Sequence, residues 1–166
     1  MLAQQRALAA FNISGDEWDV NVQPLSGAPA NFEVYMALAG KDGKIMGMHL
    51  PDGGHLSHGF KAGENHVSAT SYYFDSKPYH IDKATGLIDY DEMEQVATEF
   101  QPKILIGGYS AYSRDIDYAR MRQIADKGGA LLLVDMAHYN GLVSGGVLSS
   151  PFDHADIVTT TTHKIM

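Results

Sequence analysis

The chain contains no cysteine, which excludes disulfide bonds, thiolate nucleophiles and cysteine-ligated zinc sites and fits a reducing compartment. It has no apolar run near the ~18 residues of a transmembrane helix, and its first residues lack the basic-then-apolar order of a secretory signal. Basic side chains are few, since 12 Lys and Arg stand against 20 Asp and Glu and the net charge is −8. This balance argues against nucleic acid and anionic membranes as partners, because both bind through a surplus of positive charge.

The residues that are present have the composition of one globular domain of ordinary size. The chain has 166 residues, of which 45% are hydrophobic and 19% charged, and a typical domain holds about 100 to 200 residues. Apolar residues at helical spacing predict amphipathic helices over 32–39, 93–100 and 115–127, with glycine stops at 40 and 128–129. Apolar runs of strand length occur at 45–48, 67–74, 104–106, 131–134 and 157–159. Alternating strands and helices predict an α/β fold with a mostly parallel sheet, whose last three strands are covered on both faces.

Ligands in open α/β sheets bind beyond the carboxyl ends of the strands, so the residues after each apolar run are candidates for a site. Asp135 directly follows the run 131–134, and a desolvated carboxylate there can hold a heteroaromatic nitrogen protonated. Lys164 follows a run of threonines, where a desolvated amine can form a Schiff base. The alternatives are a turn cap or arginine partner for Asp135 and a solvated side chain for Lys164.

Two segments nearer the N-terminus add further candidates. Ser26 and Gly27 precede the first amphipathic helix, whose unpaired N–H groups can bind a phosphate, although an ordinary helix N-cap by Ser26 or Asn31 is the alternative. His55 and His58 lie in a glycine-bracketed loop over 52–59, and a neutral imidazole can stack on a flat ring. The two histidines could also bind zinc together with Asp52 if the loop folds back sharply, or they could be solvated on a surface turn.

Taken together, the four segments offer a phosphate cup, an imidazole for a ring face, a carboxylate for a ring nitrogen and a lysine for an aldehyde. These are the contacts that pyridoxal 5'-phosphate requires, because the protein must bind this cofactor, keep its ring nitrogen protonated and orient the bond to be broken.

Seven segments carry a resemblance to a known family. They are NVQPLSGAPAN (21–31), LPDGGHLSHG (50–59), TGLIDY (85–90), YSAYSR (109–114), IDYARMR (116–122), VDMAH (134–138) and DIVTTTTHK (156–164). The motifs are long and specific, and the likeness covers nearly all of the chain. The sequence closely resembles serine hydroxymethyltransferase, especially its eukaryotic branch.

The resemblance implies a fold-type I pyridoxal-phosphate scaffold that interconverts L-serine and glycine, with tetrahydrofolate as the one-carbon carrier. It further implies a homodimer or tetramer for the full-length enzyme and a location in the cytoplasm or mitochondrion, with the cytoplasm favoured. Residues 1–166 are expected to be a partial cofactor-binding large domain, without the family's N-terminal segment and C-terminal small domain. A truncated, inactive or partner-binding fragment of the same family is the alternative, and a His/Asp metal hydrolase is a third interpretation.

The resemblance also assigns roles at the cofactor ring. Lys164 would carry the cofactor as an internal aldimine, and Asp135 would pair with the pyridine nitrogen. His55 would stack on the ring. Ser110 and His138 would lie near the phenolic oxygen.

The remaining roles concern the phosphate, proton transfer and the folate. Ser26 and Gly27 would hold the phosphate, with Ala28 in the place where the family usually has a second serine. Thr161 and His163 match positions that tune transaldimination and proton handling. Three residues match the loop that contacts the folate in the family, namely Leu50, Gly54 and Leu56.

Overall fold

A five-stranded parallel sheet is the centre of the structure, a computed structural model that describes all residues from 1 to 166. In chain order the strands are β1 (Lys44–Met48), β2 (Lys61–Ala62), β3 (Asn65–His66), β4 (Asp75–Tyr79), β5 (Ile104–Gly108), β6 (Leu131–Asp135) and β7 (Ile157–Thr159). The large sheet has the order β4-β1-β5-β6-β7 with every pair parallel, while β2 and β3 form a separate antiparallel pair. The predicted α/β class with a mostly parallel sheet is confirmed.

Six α-helices surround or precede this sheet. They are α1 (Leu2–Ala10), α2 (Gly27–Leu38), α3 (Ala69–Tyr73), α4 (Tyr90–Phe100), α5 (Tyr118–Gly128) and α6 (Asn140–Ser144). The three predicted amphipathic helices correspond to α2, α4 and α5. Helix α5 begins three residues later than predicted because the Asp117 side chain accepts a hydrogen bond of 2.9 Å from the Arg120 N–H and caps the helix. No helix combines the length and apolar character needed to cross a membrane.

The predicted strand over 67–74 is wrong. Ser68 caps a short helix there, since its side chain accepts a hydrogen bond of 3.1 Å from the Ser71 N–H, and α3 follows. The strand lies further along, at Asp75–Tyr79, and forms the edge of the sheet. Its sequence contains Pro78, which an edge strand tolerates because one side of the strand needs no donors. Only Tyr79 of this strand is buried, so no apolar pattern marked it.

The core lies on both faces of the sheet. Successive residues of a strand point to opposite faces, and in β5 Ile104 and Ile106 join one apolar cluster while Leu105 joins the other. Tyr35 of α2 belongs to the first cluster, and residues of α4 and α5 belong to the second. The continuous apolar runs of the central strands are therefore covered on both faces, as predicted, and their carboxyl ends remain as the edge where polar side chains collect.

Candidate functional site

Asp135 is the last residue of β6 and lies buried at the carboxyl edge of the sheet. Its Oδ2 accepts hydrogen bonds from Asn31 Nδ2 at 2.8 Å and pairs with His58 Nε2 at 3.0 Å. Its Oδ1 accepts one hydrogen bond of 3.1 Å, from the Ala137 N–H, so the predicted alternative of a turn cap is also present. The predicted alternative of an arginine partner does not occur, because the only basic group paired with this carboxylate is the imidazole of His58.

The ionisation of Asp135 follows from these contacts. Burial opposes the charged form, but the hydrogen bonds from His58, Asn31 and the Ala137 N–H outweigh it and lower the pKa of Asp135 to about 2. The carboxyl group is therefore an anion at neutral pH in a nearly dry environment. Because Oδ1 has a single donor, it can accept another hydrogen bond.

Asn31 is the residue that sequence reasoning undervalued. It is fully buried, and besides Asp135 its Nδ2 donates to Ser57 Oγ at 2.9 Å. Its Oδ1 accepts a hydrogen bond of 2.7 Å from Thr159 Oγ1. One amide thus joins α2, the 3₁₀ turn Leu56–His58, β6 and β7. The available signal was its place on the inward face of α2, four residues before the buried Tyr35.

His55 presents a neutral ring beside this network. Its Nδ1 accepts a hydrogen bond of 3.1 Å from the Ser57 N–H, and a nitrogen that accepts from a backbone donor carries no proton. Burial is the largest cause that lowers the pKa of His55, followed by the neighbouring His58. The His138 ring lies 5.6 Å away, measured between centroids. A neutral, half-buried imidazole of this kind offers a flat face to a heteroaromatic ring.

Lys164 is exposed, so the predicted desolvation of its amine is wrong for this structure and the alternative of a solvated side chain holds. Its Nζ donates a hydrogen bond of 3.0 Å to Thr161 Oγ1. Thr161 is buried, and its hydroxyl lies 3.4 Å from the carbonyl oxygen of Ala137, just past Asp135. His138 belongs to the same neighbourhood, since burial and then the charge of Lys164 lower its pKa. His163 is exposed and has no side-chain hydrogen bond in the structure.

The N-terminus of α2 faces the same segment. Ser26 is the N-cap residue with an extended backbone, and its hydroxyl makes no capping hydrogen bond, so the predicted alternative of a Ser26 side-chain cap does not occur. A Cβ on Gly27 would lie 3.1 Å from Thr161 Cγ2, which shows how closely the helix start approaches the segment before Lys164. Gly27 and Ala28 are in the first turn, where backbone N–H groups have no partner within the helix.

Ser110 is held against the histidine loop through its backbone. Its N–H donates to the Gly53 carbonyl at 2.8 Å, while its Oγ is buried without a hydrogen-bond partner. Gly53 has a φ of +118°, and a Cβ there would lie 2.9 Å from Tyr112 N. The loop 50–59 and the segment after β5 therefore pack backbone to backbone, and an unsatisfied hydroxyl lies at their junction.

The three residues of the expected folate loop share this loop with His55. Leu50 is half-buried and begins a 3₁₀ turn, whereas the Leu56 side chain is exposed. Gly54 is buried against β1, and a Cβ there would lie 2.1 Å from the Met48 carbonyl oxygen. The close approach explains why glycine is needed at this position.

The structure does not group Asp52 with His55 and His58. Asp52 instead pairs with His49 and His80 at the opposite end of the loop, while His55 and His58 cluster with Asp135. A zinc site on Asp52, His55 and His58 needed the loop to fold back sharply, and the loop does not do so.

The whole chain is matched by the family model for serine hydroxymethyltransferase, over residues 1–166. The chain is 60% identical over 164 residues to the cytosolic serine hydroxymethyltransferase of Eremothecium gossypii. This aligned region is 99% of the chain and 35% of that protein. It is 61% identical over 163 residues to a probable cytosolic serine hydroxymethyltransferase of Schizosaccharomyces pombe, covering 98% of the chain and 35% of the relative.

A plant relative is similar to the same degree. The chloroplastic serine hydroxymethyltransferase 3 of Arabidopsis thaliana is 59% identical over 163 residues, covering 98% of the chain and 31% of that protein. The chain thus spans about a third of the length of the curated relatives it matches.

Proposed function

Because the chain belongs to the serine hydroxymethyltransferase family, we propose that residues 1–166 form part of the cofactor-binding large domain of a pyridoxal-phosphate-dependent transferase. The whole protein would interconvert L-serine and glycine in one-carbon metabolism, with tetrahydrofolate as the carrier. The observation that supports this best is the buried, ionised Asp135 at the carboxyl edge of the sheet, beside the neutral ring of His55.

The residues present fit pyridoxal 5'-phosphate on chemical grounds. The cofactor has an aromatic nitrogen, a flat ring, a phenolic oxygen, an aldehyde and a phosphate, and a donor or acceptor of the right kind exists for each. The buried Ser110 hydroxyl, which has no partner in the protein, is a donor for the phenolic oxygen. When bound, the cofactor supplies an electron sink for the cleavage of bonds at the amino-acid α-carbon.

Asp135 would keep the pyridine nitrogen protonated. Its Oδ2 already accepts hydrogen bonds from Asn31 and His58, whereas Oδ1 has one donor and can accept a hydrogen bond from the protonated nitrogen. A carboxylate held ionised by fixed hydrogen bonds stabilises a positive nitrogen more strongly than a solvated one, because the surrounding protein screens the charge less than water does.

His55 and His138 would contact the ring. The neutral His55 imidazole provides a stacking face without placing a positive charge over the pyridinium. His138, whose pKa burial and Lys164 lower, would accept or donate a hydrogen bond near the phenolic oxygen.

The first turn of α2 would hold the phosphate. Ser26 has an unused hydroxyl, and Gly27 and Ala28 contribute N–H groups at the positive end of the helix dipole. Ala28 provides no hydroxyl, so the hydrogen bonds to the phosphate would come mainly from the backbone.

Lys164 would bind the aldehyde carbon, and the neighbouring Thr161 and His163 would position the amine and transfer protons. Thr161 Oγ1 accepts from the Lys164 Nζ and so fixes the direction of the amine. The adjacent His163 would exchange protons with solvent. Substrate folate would contact the three loop residues Leu50, Gly54 and Leu56.

We further propose that the whole protein forms homodimers or tetramers and works in the cytosol or in an organelle. Named relatives are described as cytosolic and as chloroplastic.

The decisive experiment is cofactor capture on Lys164. The chain is mixed with pyridoxal 5'-phosphate, followed by visible absorbance, reduced with borohydride, digested and analysed by mass spectrometry. We expect the cofactor mass on the peptide that contains Lys164, loss of capture in K164Q, and full capture in the matched control K83Q, where an exposed lysine is removed. Label spread evenly over surface lysines, or equal capture by K164Q, would overturn the assignment.

A further inference from the structure

The strand register brings two histidines together at the edge of the sheet. β1 and β4 are parallel with Met48 opposite Tyr79, so the next residues, His49 and His80, leave the two strands side by side. The His49 N–H donates to the Tyr79 carbonyl at 3.0 Å, which continues the pairing one step beyond the strands. The two imidazole rings consequently lie edge to face, with centroids 4.7 Å apart.

A carboxylate completes this pair. Asp52 ends the 3₁₀ turn Leu50–Asp52, and its Oδ2 lies 3.6 Å from His49 Nδ1 and 2.8 Å from His80 Nδ1. One ligand atom from each of the three side chains lies within 4.8 Å of the others. No lysine or arginine pairs with Asp52, so its negative charge has no permanent cation beside it.

We propose that His49, Asp52 and His80 bind a first-row divalent transition metal, with Zn²⁺ as the first candidate. Two imidazoles and one carboxylate are a donor set that suits Zn²⁺, Co²⁺, Ni²⁺ or Cu²⁺ and does not suit Mg²⁺ or Ca²⁺, which prefer oxygen ligands throughout. Tetrahedral ligands at bond lengths of about 2.0 Å are separated by about 3.3 Å. The two distances from Asp52 Oδ2 lie on either side of that value.

The backbone around the three ligands is fixed. The His49 carbonyl accepts hydrogen bonds from the Asp52 and Gly54 N–H groups, both at 3.0 Å. The His80 N–H donates to Glu92 Oε2 at 3.1 Å, which ties the end of β4 to α4. Because these bonds set the backbone positions, the side chains are the parts that would move to bring the donors to bonding distance.

The site is open on one side. The side chains of His49, Asp52 and His80 are 28%, 17% and 43% exposed. This exposure gives an ion a path of entry and leaves the remaining coordination positions to water. A bound metal would fasten the turn Leu50–Asp52 to the ends of β1 and β4. The proposal does not depend on the cofactor assignment, since none of the three ligands is among its proposed residues.

The test is titration of the metal-free chain with Zn²⁺ by calorimetry, and with Co²⁺ by its visible d–d absorption. We expect one ion per chain, and binding weakened by roughly 10- to 100-fold or more in H49Q, D52N and H80Q, since even the outer partners of metal ligands have effects of that size. The matched control H154Q removes a half-buried histidine that belongs to neither cluster and should bind like the parent chain.

Two further measurements keep the outcome unambiguous. Zn²⁺ should raise the thermal midpoint of the parent chain and of H154Q, and it should leave the midpoints of D52N and H80Q unchanged. If one substitution prevents folding, seen by circular dichroism, the other two decide the question. Unchanged binding in the folded variants would overturn the proposal, and so would binding that disappears in H55Q instead, since that result places the ion at the His55, His58 and Asp135 cluster.

Discussion

Asn31 donates a hydrogen bond of 2.8 Å to Asp135 across 104 positions of the sequence. This bond joins the inward face of α2 to the carboxyl end of β6. Because the same amide also contacts Ser57 and Thr159, the hydrogen-bond network around the carboxylate joins four separate segments of the chain, its own strand β6 included. The consequences of this arrangement can be measured.

Replacement of Asn31 by alanine should destabilise the fold. N31A leaves Ser57 and Thr159 hydroxyls without this partner and removes one donor from a buried anion, and each such loss costs about 1–3 kcal/mol. Urea unfolding should show a loss of about 2 kcal/mol or more in the free energy of unfolding. The control N65A removes an exposed asparagine of the β2–β3 hairpin and should change it by less than about 0.5 kcal/mol. Equal stability of the two variants would contradict the role given to Asn31.

Stability should rise with pH between about 2 and 4 because of Asp135. The pKa of Asp135 in the folded chain is about 2, below the ordinary value of 3.8, so the unfolded carboxyl binds its proton first as the pH falls. The stabilisation is complete above about pH 4 and disappears as the pH falls to about 2, with a size of about 2–3 kcal/mol. The free energy of unfolding, measured with urea at several pH values, should rise less steeply with pH in D135N than in the parent chain. An identical pH dependence in the two would show that the carboxylate is not held as described.

The proposed stacking role of His55 can be tested by substitutions that keep or remove a flat ring. H55F keeps a flat ring, whereas H55A removes it, and aromatic stacking contributes about 0.5–1.5 kcal/mol. Pyridoxal 5'-phosphate affinity, measured by absorbance titration, should therefore fall by about 2- to 10-fold in H55A and recover in H55F. Equal losses in both variants would point to the imidazole nitrogens and away from stacking.

Gly54 should tolerate no side chain. In G54A the new methyl group would meet the Met48 carbonyl oxygen at 2.1 Å, and the backbone at the end of β1 cannot move away easily. We expect a loss of about 1–3 kcal/mol or more in the free energy of unfolding. G128A is the matched control, because the last residue of α5 has open space around its Cα and helical alanine is favoured over glycine. Its thermal midpoint should stay the same or rise.

The parts of the fold that the sequence predicted are those governed by local periodicity. The inward residues of α5, such as Met121 and Ile124, were predicted by helical spacing and are buried. The central strands could be predicted because both of their faces are covered, which gives continuous apolar runs in the sequence. The edge strand β4 was missed because only Tyr79 among its residues is buried, and Val67 suggested a strand where Ser68 instead caps a helix.

The candidate site was predicted only in part for a related reason. Asp135 stood out because it directly follows an apolar run, and Lys164 because it follows a run of threonines. The contacts of Asn31 depend on how α2 docks against β6 and β7, which no local pattern encodes. The approach of His49 to His80 likewise depends on the register of β1 with β4, two strands that are separated by a hairpin and a helix.

The 104-residue span between Asn31 and Asp135 also bears on how the chain folds. Closing so long a loop is slow compared with forming a helix or a local turn, so this contact belongs among the later events. Until it forms, the carboxyl group of Asp135 lacks one of the three donors that hold it ionised, the other two being His58 and the Ala137 N–H. The acidity of Asp135 therefore depends in part on the docking of α2, and following its titration during refolding would test when that docking occurs.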